Sequence, residues 1–199
     1  MRALTSANGA VAILDIRVLG DPILRQATTP VVQITDDLQR LIDDMFATMY
    51  HARGIGLAAP QVGRTERLAV LDLGDDPFVI INPEIIESSS GKAKGEEGCL
   101  SIPDIYADVE RPKTVTVRAM DRHGAMFERA ATDLEARCLQ HEIDHLDGKI
   151  FLDYLSVLKR AAALAKWKLQ ADDYPGFIRR VSLETPEDLD GHEHPEEEL

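Results

Sequence analysis

Apolar residues recur at helical spacing in two well-defined stretches of the chain. One stripe follows Thr35 and Asp36, a pair that suits the N-terminus of a helix. Its members are Leu38, Leu41, Ile42, Met45 and Met49. A second stripe follows Thr132 and consists of Leu134, Cys138, His141 and His145. Positions three, four and seven residues apart share a helix face, so both stretches are predicted to be helices with these stripes facing inward.

Signals at the ends of the second stripe support this prediction. Thr132 and Glu135 have the spacing of a capping box, in which each side chain bonds the backbone of the other. Asp147 and Gly148 form a stop signal at the far end. The run LSVLKRAAALAKWK predicts a further helix over about 154–171.

The remaining pattern predicts strands. Apolar runs at 68–73, 78–81 and 114–119 are separated by turn signals such as Asn82-Pro83 and the segment 121–124. Because these strands and helices do not alternate regularly, the pattern predicts an α+β domain rather than a parallel α/β sheet.

Length and charge narrow the class of protein. The 199 residues suit one domain, and the net charge of −13 is uneven, since residues 181–199 carry eight acidic side chains and no lysine or arginine. We therefore expect a catalytic domain over 1–183 and a disordered acidic tail over 184–199. No basic stripe dominates the body, so direct DNA binding is not expected.

The sequence also predicts a cytoplasmic protein. It has no run of 18 apolar residues that would cross a membrane. The first eight residues lack the apolar core of a signal peptide. The chain has only two cysteines, and one of them is a candidate metal ligand. Free thiols of this kind are typical of a reducing compartment, so we do not expect a disulfide.

The run Gln140–His145 contains an HExxH motif, which carries the most specific chemistry in the chain. On a helix, His141 and His145 lie one turn apart and can direct two imidazoles at one cation. Glu142 lies beside them and can act as a general base. The structural alternative is a buried helix with two hydrogen-bonded histidines, both of which would need partners.

A metal site of this kind needs a third ligand. Downstream of the motif there is Asp153, then a cationic stretch, then His192 and His194 in a segment without apolar pattern. None of these residues looks like a positioned ligand. Upstream, Cys99 lies in a glycine-flanked turn and offers a thiolate, a strong ligand for zinc or ferrous iron. The alternative for Cys99 is a small buried apolar side chain, which is how we interpret Cys138.

The segment GIGLAAPQ at 54–61 is a third candidate element. Its glycines allow close approach of a ligand to the backbone, and the amide of Gln61 could donate to a developing oxyanion. The alternative is a tight turn followed by a buried strand. No GKS or GKT follows, so it is not a phosphate-binding loop.

Together, GIGLAAPQ at 54–61, EGCLS at 97–101 and QHEIDHLDG at 140–148 resemble the motifs of the peptide deformylase family. The segment RVLGDPILR at 17–25 is similar to the family's N-terminal strand and turn, and the resemblance covers about residues 14–170. It implies small antiparallel or mixed sheets wrapped around a central metal-binding HExxH helix, with a C-terminal helix.

The resemblance assigns roles to six residues. It implies that the metal is held by Cys99, His141 and His145, and that the catalytic groups are Glu142, Gln61 and the Leu100 backbone N–H. One divalent metal per chain is expected, with ferrous iron as the native ion and zinc, nickel or cobalt possible in purified protein. The implied reaction removes the formyl group of N-formylmethionine by attack of a metal-bound hydroxide and releases formate.

The resemblance also implies how a substrate would bind. Backbone groups near Ile55, Gly56 and Gly98 would hold an extended peptide. A methionine pocket would be lined near Ile55, Leu134, Cys138 and His141. Arg137 falls where an apolar residue often stands. Glu97 would support the metal ligands and pair with Arg111.

Partners follow from the same resemblance. Nascent N-formylmethionyl peptides are the expected substrates, and Lys159, Arg160, Lys166 and Lys168 would dock the C-terminal helix at the ribosome. The alternative for these cations is a solvated helix face. Two other functions stay open, an HExxH metallopeptidase that would not need Cys99, and an inactive homologue that serves as a binding module.

Overall fold

The computed structural model describes residues 11–74 and 76–181. Within these ranges the chain forms three α-helices and nine β-strands. In chain order they are β1 (Ile16–Arg17), α1 (Asp36–His51), β2 (Gly56–Ala58), β3 (Leu68–Leu71), β4 (Phe78–Ser88), β5 (Lys92–Cys99), β6 (Ile102–Pro112), β7 (Thr114–Met120), β8 (Met126–Thr132), α2 (Asp133–Leu146), α3 (Val157–Gln170) and β9 (Ile178–Arg179). The expectations for the first eight residues, for His192 and His194 and for the tail at 184–199 lie outside the described residues.

The strands form three antiparallel sheets. The largest has five strands in the order β2-β3-β4-β7-β8, while β5 pairs with β6 and β1 pairs with β9. The predicted α+β class is therefore confirmed, and so is the presence of a C-terminal helix. The β5–β6 hairpin was not predicted, because β5 carries only two apolar side chains, Ala93 and Cys99, and therefore shows no apolar pattern.

Helix α1 covers one face of the five-stranded sheet. Thr35 caps it as predicted, since its side-chain oxygen accepts a hydrogen bond from the Leu38 N–H at 3.2 Å. The whole predicted stripe is buried and packs against Leu68, Val70 and other apolar residues of the sheet. The apolar stripe thus fixes which side of α1 faces the protein interior.

Helix α2 covers the opposite face of the same sheet. Ala136, Leu139 and Ile143 pack there against Ala69 and Leu71 of β3. Because helices lie on both sides of β3, all four of its residues are buried and the strand reads as a continuous apolar run. The other side of α2 faces the β5–β6 hairpin, so the helix lies between the two sheets.

The start of α2 differs from the prediction. Thr132 is the N-cap residue, but its side chain makes no capping hydrogen bond. Asp133 adopts a left-handed conformation with φ of 50°, which turns the chain sharply from β8 into the helix. The carboxylate of Glu135 pairs with Arg129 of β8 instead of reaching back to the N-cap, so the capping box does not form. The predicted stop at Asp147 and Gly148 is present.

Helix α3 begins at Val157, three residues later than predicted, because 151–154 form a short 3-10 turn. Its Trp167 is buried and packs near the hairpin residues Ile102 and Ile105. Among the residues that the structure describes, no helix combines the length and apolarity needed to cross a bilayer.

Candidate metal centre and active site

Three potential metal ligands converge between the hairpin and α2. Cys99 ends β5, while His141 and His145 lie one turn apart on α2. Their ligand atoms all lie within 4.8 Å of one another, and Cys99 Sγ lies 3.2 Å from His145 Nε2. The structure therefore brings together the cysteine and both histidines that the sequence singled out.

The hairpin places Glu97 and Cys99 on the side that faces α2. The two residues are i and i+2 on β5, and such positions share one face of a strand. Their side chains accordingly contact α2, Glu97 at His141 and Cys99 at His145. The β5–β6 register shifts between them, so that Cys99 pairs with Ile102 across a short turn.

Glu97 fixes the orientation of His141. The Glu97 carboxylate lies 3.0 Å from His141 Nδ1, which leaves the Nε2 atom of that ring for a metal. Arg111 holds the carboxylate in turn, with Nε and Nη2 at 2.6 and 2.9 Å from its two oxygens. Burial opposes ionisation of Glu97, but hydrogen bonds from His141 and Arg111 outweigh it and lower its pKa to about 2.

The expected pair between Glu97 and Arg111 belongs to a larger buried network. Arg111 also donates to Asp144 at 2.7 Å, and the Tyr154 hydroxyl donates to the same carboxylate at 2.7 Å. Burial together with the Asp144 contact raises the pKa of Tyr154 to about 12. Asp144 therefore anchors α2 to the hairpin and lies apart from the candidate reaction centre.

The residues present fit a divalent cation. Among the described residues, the buried side-chain polar atoms without a hydrogen-bond partner include His145 Nδ1 and Glu142 Oε2, two groups at this one site. A thiolate and two imidazoles form a donor set suited to zinc-type or ferrous ions. A coordinated cation would deprotonate the Cys99 thiol and would compensate the charge of the buried Glu142 carboxylate.

Burial sets the protonation of the neighbouring groups. It disfavours charge on both histidines, and it lowers the pKa of His145 well below the usual range. At His141, contacts with Cys99 and Glu97 outweigh burial and raise the pKa to about 10. Burial raises the pKa of Glu142 to about 7. A carboxyl group with such a pKa can both accept and donate a proton near neutral pH.

A cavity of about 460 Å³ opens onto this centre. Of the residues predicted to act in the site, those that line the cavity are Ile55, Gly56, Gly98, Cys99, Leu100, Leu134, Cys138, His141 and Glu142. Gln61 and His145 lie behind this lining. Leu134 was expected to face inward, but it is 57% exposed, because the cavity mouth and not the core lies beside the first turn of α2.

Gly56 allows the close approach of β2 to α2. A Cβ atom at this position would lie 2.3 Å from Glu142 Oε1 and 3.1 Å from Cys138 Sγ. Any larger residue would therefore displace the carboxylate. A Cβ on Gly98 would similarly come within 2.5 Å of the Tyr106 ring, which lies over the hairpin backbone.

The Gln61 side chain is held in one orientation. Its Oε1 accepts a hydrogen bond from the Ala58 N–H at 2.8 Å, which directs Nε2 towards the candidate metal centre. That nitrogen donates to Ser101 Oγ at 3.2 Å and lies 3.5 Å from Cys99 Sγ. The amide is 2% exposed, so its geometry is set before any ligand arrives.

Arg137 forms part of the cavity wall, but its charge is already partnered. Its guanidinium donates to Glu97 at 2.6 Å and to the carbonyls of Ala93 and Val109 at 2.9 and 3.0 Å. The side chain thus ties α2 to both strands of the hairpin. The lining residues that were not predicted include Tyr106, Tyr174 and Arg179, since no motif marks them.

Comparisons with known proteins identify one family. A model of the family described as polypeptide deformylase matches residues 13–161. The peptide deformylase of Alkalilimnicola ehrlichii is 56% identical over 154 residues, which are 75% of this chain and 86% of that protein. The peptide deformylase of Hydrogenovibrio crunogenus is 54% identical over 158 residues, 78% of this chain and 93% of that one.

Solved structures give the same result. A crystal structure of a peptide deformylase from Legionella pneumophila superposes with a TM-score of 0.77 at 50% identity, and covers 80% of this chain and 98% of its own. A peptide deformylase from Synechococcus elongatus, crystallised with actinonin, gives a TM-score of 0.74 at 46% identity over 77% of this chain and 86% of its own. By its motifs, its fold and these similarities, the chain belongs to the peptide deformylase family.

Proposed function

We propose that this chain removes the formyl group from the N-terminal formylmethionine of nascent polypeptides and releases formate. The observation that carries the proposal is the convergence of Cys99, His141 and His145 within 4.8 Å, with the Glu142 carboxylate in the same cavity. A binding module would need none of these four side chains. A metallopeptidase that relies on HExxH with a downstream ligand would not need Cys99.

Cys99, His141 and His145 would hold one divalent metal per chain. When bound, the metal acts as a Lewis acid and lowers the pKa of a water from 15.7 to about 7. We infer ferrous iron as the native ion from the resemblance to the family, while the same donors also accept zinc, nickel or cobalt. Metal analysis of protein purified without oxygen, compared with protein purified in air, tests this assignment.

Glu142 carries the proton in this mechanism. Its buried carboxylate accepts a proton from the attacking water and then delivers it to the methionine nitrogen as the C–N bond of the formyl amide breaks. In the metal-free protein burial raises the pKa of this carboxyl group to about 7, so the group can accept and donate a proton near neutral pH. The lack of a side chain at Gly56 leaves room for this carboxylate, since a Cβ atom there would lie 2.3 Å from Oε1.

Gln61 and the Leu100 backbone N–H would stabilise the oxyanion that forms on the formyl oxygen. The Gln61 amide is fixed by the Ala58 N–H and points towards Cys99, the residue next to Leu100. Donors positioned before the reaction need no reorganisation, and removal of one such donor typically costs about 10²–10³ in turnover.

The substrate peptide would bind as an added strand. Strand β2, which begins at Gly56, is an edge strand of the five-stranded sheet, so one side of its backbone is free for pairing. Ile55 and Gly98 both line the cavity. Leu134 and Cys138 would contact the methionine side chain, with Cys138 buried and Leu134 at the rim.

The C-terminal helix would dock at the ribosome in the cytoplasm. On α3, Val157, Leu158 and Leu169 are each more than 80% exposed, and Lys159 and Lys168 are exposed beside them. Co-sedimentation with ribosomes should weaken in a Lys159→Glu, Lys168→Glu double variant. Lys149→Glu, an equivalent change at an exposed position outside α3, should leave co-sedimentation unchanged.

Formate release tests the central proposal. Protein purified anaerobically with ferrous iron is mixed with formyl-Met-Ala-Ser, and formate and metal content are measured on the same sample. Release at about one metal per chain supports the proposal, and acetyl-Met-Ala-Ser should yield no acetate at a comparable rate. Absence of formate from a fully metallated sample would reject it.

A further inference from the structure

The end of the described chain returns to the candidate active site. After α3, the segment 171–179 lies beyond the region that the family model matches, which ends at residue 161. Its last two residues form β9, which pairs antiparallel with β1. The segment therefore follows the C-terminal helix and extends back towards the N-terminal strand.

Several contacts hold this segment in place. The Tyr174 ring stacks on Trp167 of α3 at 5.6 Å between centroids. The Phe177 carbonyl accepts a hydrogen bond from the Val18 N–H at 3.0 Å. The Phe177 ring fills the space beside Gly20, where a Cβ atom would lie 2.4 Å from it. Together these contacts fix the position of β9 relative to β1 and α3.

Arg179 reaches from β9 to the loop that follows the candidate ligand Cys99. Its Nη1 donates to the Leu100 carbonyl at 3.2 Å, and its side chain lines the cavity. The next carbonyl, of Ser101, accepts a hydrogen bond from the Leu19 N–H at 2.9 Å. The loop 99–101 is therefore held by both ends of the described chain.

We propose that Arg179 is a positioning residue for the Leu100 N–H. The Leu100 N–H and carbonyl lie on neighbouring peptide planes, which are joined by the φ and ψ rotations of Leu100. Cys99 is held by its pairing with Ile102. Once Arg179 fixes the Leu100 carbonyl, the plane that carries the Leu100 N–H is therefore held on both sides and its rotation is restricted. Without Arg179 the loop would keep its contacts to Leu19 and Gln61 but lose the one at Leu100 itself. This inference rests on the proposed function, in which the Leu100 N–H donates to the oxyanion.

The test compares three full-length variants with the unaltered protein. Arg179→Met removes the hydrogen bond but keeps an unbranched apolar side chain. Arg179→Lys keeps one donor. Arg180→Met is the matched control, since Arg180 is the exposed neighbour of Arg179. For each protein we would measure kcat and KM on formyl-Met-Ala-Ser, metal content, the melting temperature, and amide hydrogen exchange in 99–103.

Arg179→Met should lower kcat about 10-fold, which is less than the loss of about 10²–10³ that follows removal of a whole oxyanion donor. The metal content and the melting temperature should not change. Hydrogen exchange in 99–103 should accelerate in this variant only, and Arg179→Lys should recover most of the rate. Unaltered kcat and exchange in Arg179→Met would overturn the inference. Failure of the unaltered protein to release formate would instead reject the proposed function, and the exchange result would still decide whether Arg179 orders the loop.

Discussion

His141 Nδ1 lies 3.0 Å from a Glu97 carboxylate oxygen, and this contact links the ligand-bearing helix to the hairpin. Because Arg111 holds both oxygens of the same carboxylate, the imidazole is oriented by a group that cannot itself rotate freely. Two charged side chains, Arg111 and Glu97, thus determine where one candidate metal ligand points.

We expect Glu97→Gln to weaken metal binding by about 10–100-fold, since an amide holds the imidazole less firmly than a carboxylate does. Competition with a chelator measures the affinity. Glu96→Gln is the matched control, because Glu96 is the exposed preceding residue on β5. Equal affinities in the two variants would contradict the role assigned to Glu97.

Cys99→Ser should abolish both metal binding and formate release, because a serine hydroxyl is a far weaker ligand than a thiolate. Cys138→Ala should keep the full metal content, since Cys138 is not a candidate ligand and lies beside Gly56 and the carbonyl of Ile55. Metal analysis of both variants decides the matter. A Cys99→Ser protein with its metal and activity intact would favour the metallopeptidase hypothesis.

Glu142→Gln should retain the metal but lose about 10²–10⁴ in turnover, because the amide cannot accept the proton. Formate release and metal content are measured on one sample. Glu135→Gln changes a carboxylate on the same helix that pairs with Arg129 outside the cavity, and it should behave as the unaltered protein does. Unchanged turnover in Glu142→Gln would remove Glu142 from the mechanism.

Gly56→Ala should reduce turnover while the metal stays bound, because the new methyl group would lie 2.3 Å from the Glu142 carboxylate and displace it. Gly91→Ala is the control, since a Cβ there meets only the Lys113 side chain at 3.9 Å. Kinetics of both variants give the answer, and equal kcat values would show that the carboxylate tolerates displacement.

Acidification should destabilise the metal-free protein through Glu97. Its pKa is about 2 in the folded state, below the ordinary value of 4.5, so its contribution is complete above pH 4.5 and declines as pH falls towards 2. Between pH 4.5 and pH 3 the loss should be about 2 kcal/mol. Urea unfolding of the unaltered protein and of Glu97→Gln measures it, and the variant should show a smaller decline.

Much of the site could be predicted because its residues lie in compact motifs. The stripe through His141 and His145 predicted a helix, and the lack of a suitable downstream ligand pointed to Cys99. Both inferences use spacing within a few residues, where helix geometry is decisive. The structure adds that Cys99 and the histidines are in fact neighbours, which depends on the hairpin register and not on local sequence.

The parts that could not be predicted depend on distant contacts. Leu134 belongs to the same stripe as Cys138, yet it faces the cavity mouth, because burial depends on what packs against each turn. Glu135 has capping-box spacing but pairs with Arg129, since the two side chains compete across the β8–α2 junction. Arg179 carries no motif and reaches Leu100 only through the pairing of β1 with β9.

The pairing of Ile16 with Arg179 has a consequence for biosynthesis. A ribosome synthesises the chain from the N-terminus onward, so β1 emerges early. It can pair with β9 only when almost all of the described chain has been translated. Closing so long a loop is slow compared with forming local contacts. The last hydrogen bond to the Leu100 loop therefore forms late, and an incomplete chain leaves that loop without it.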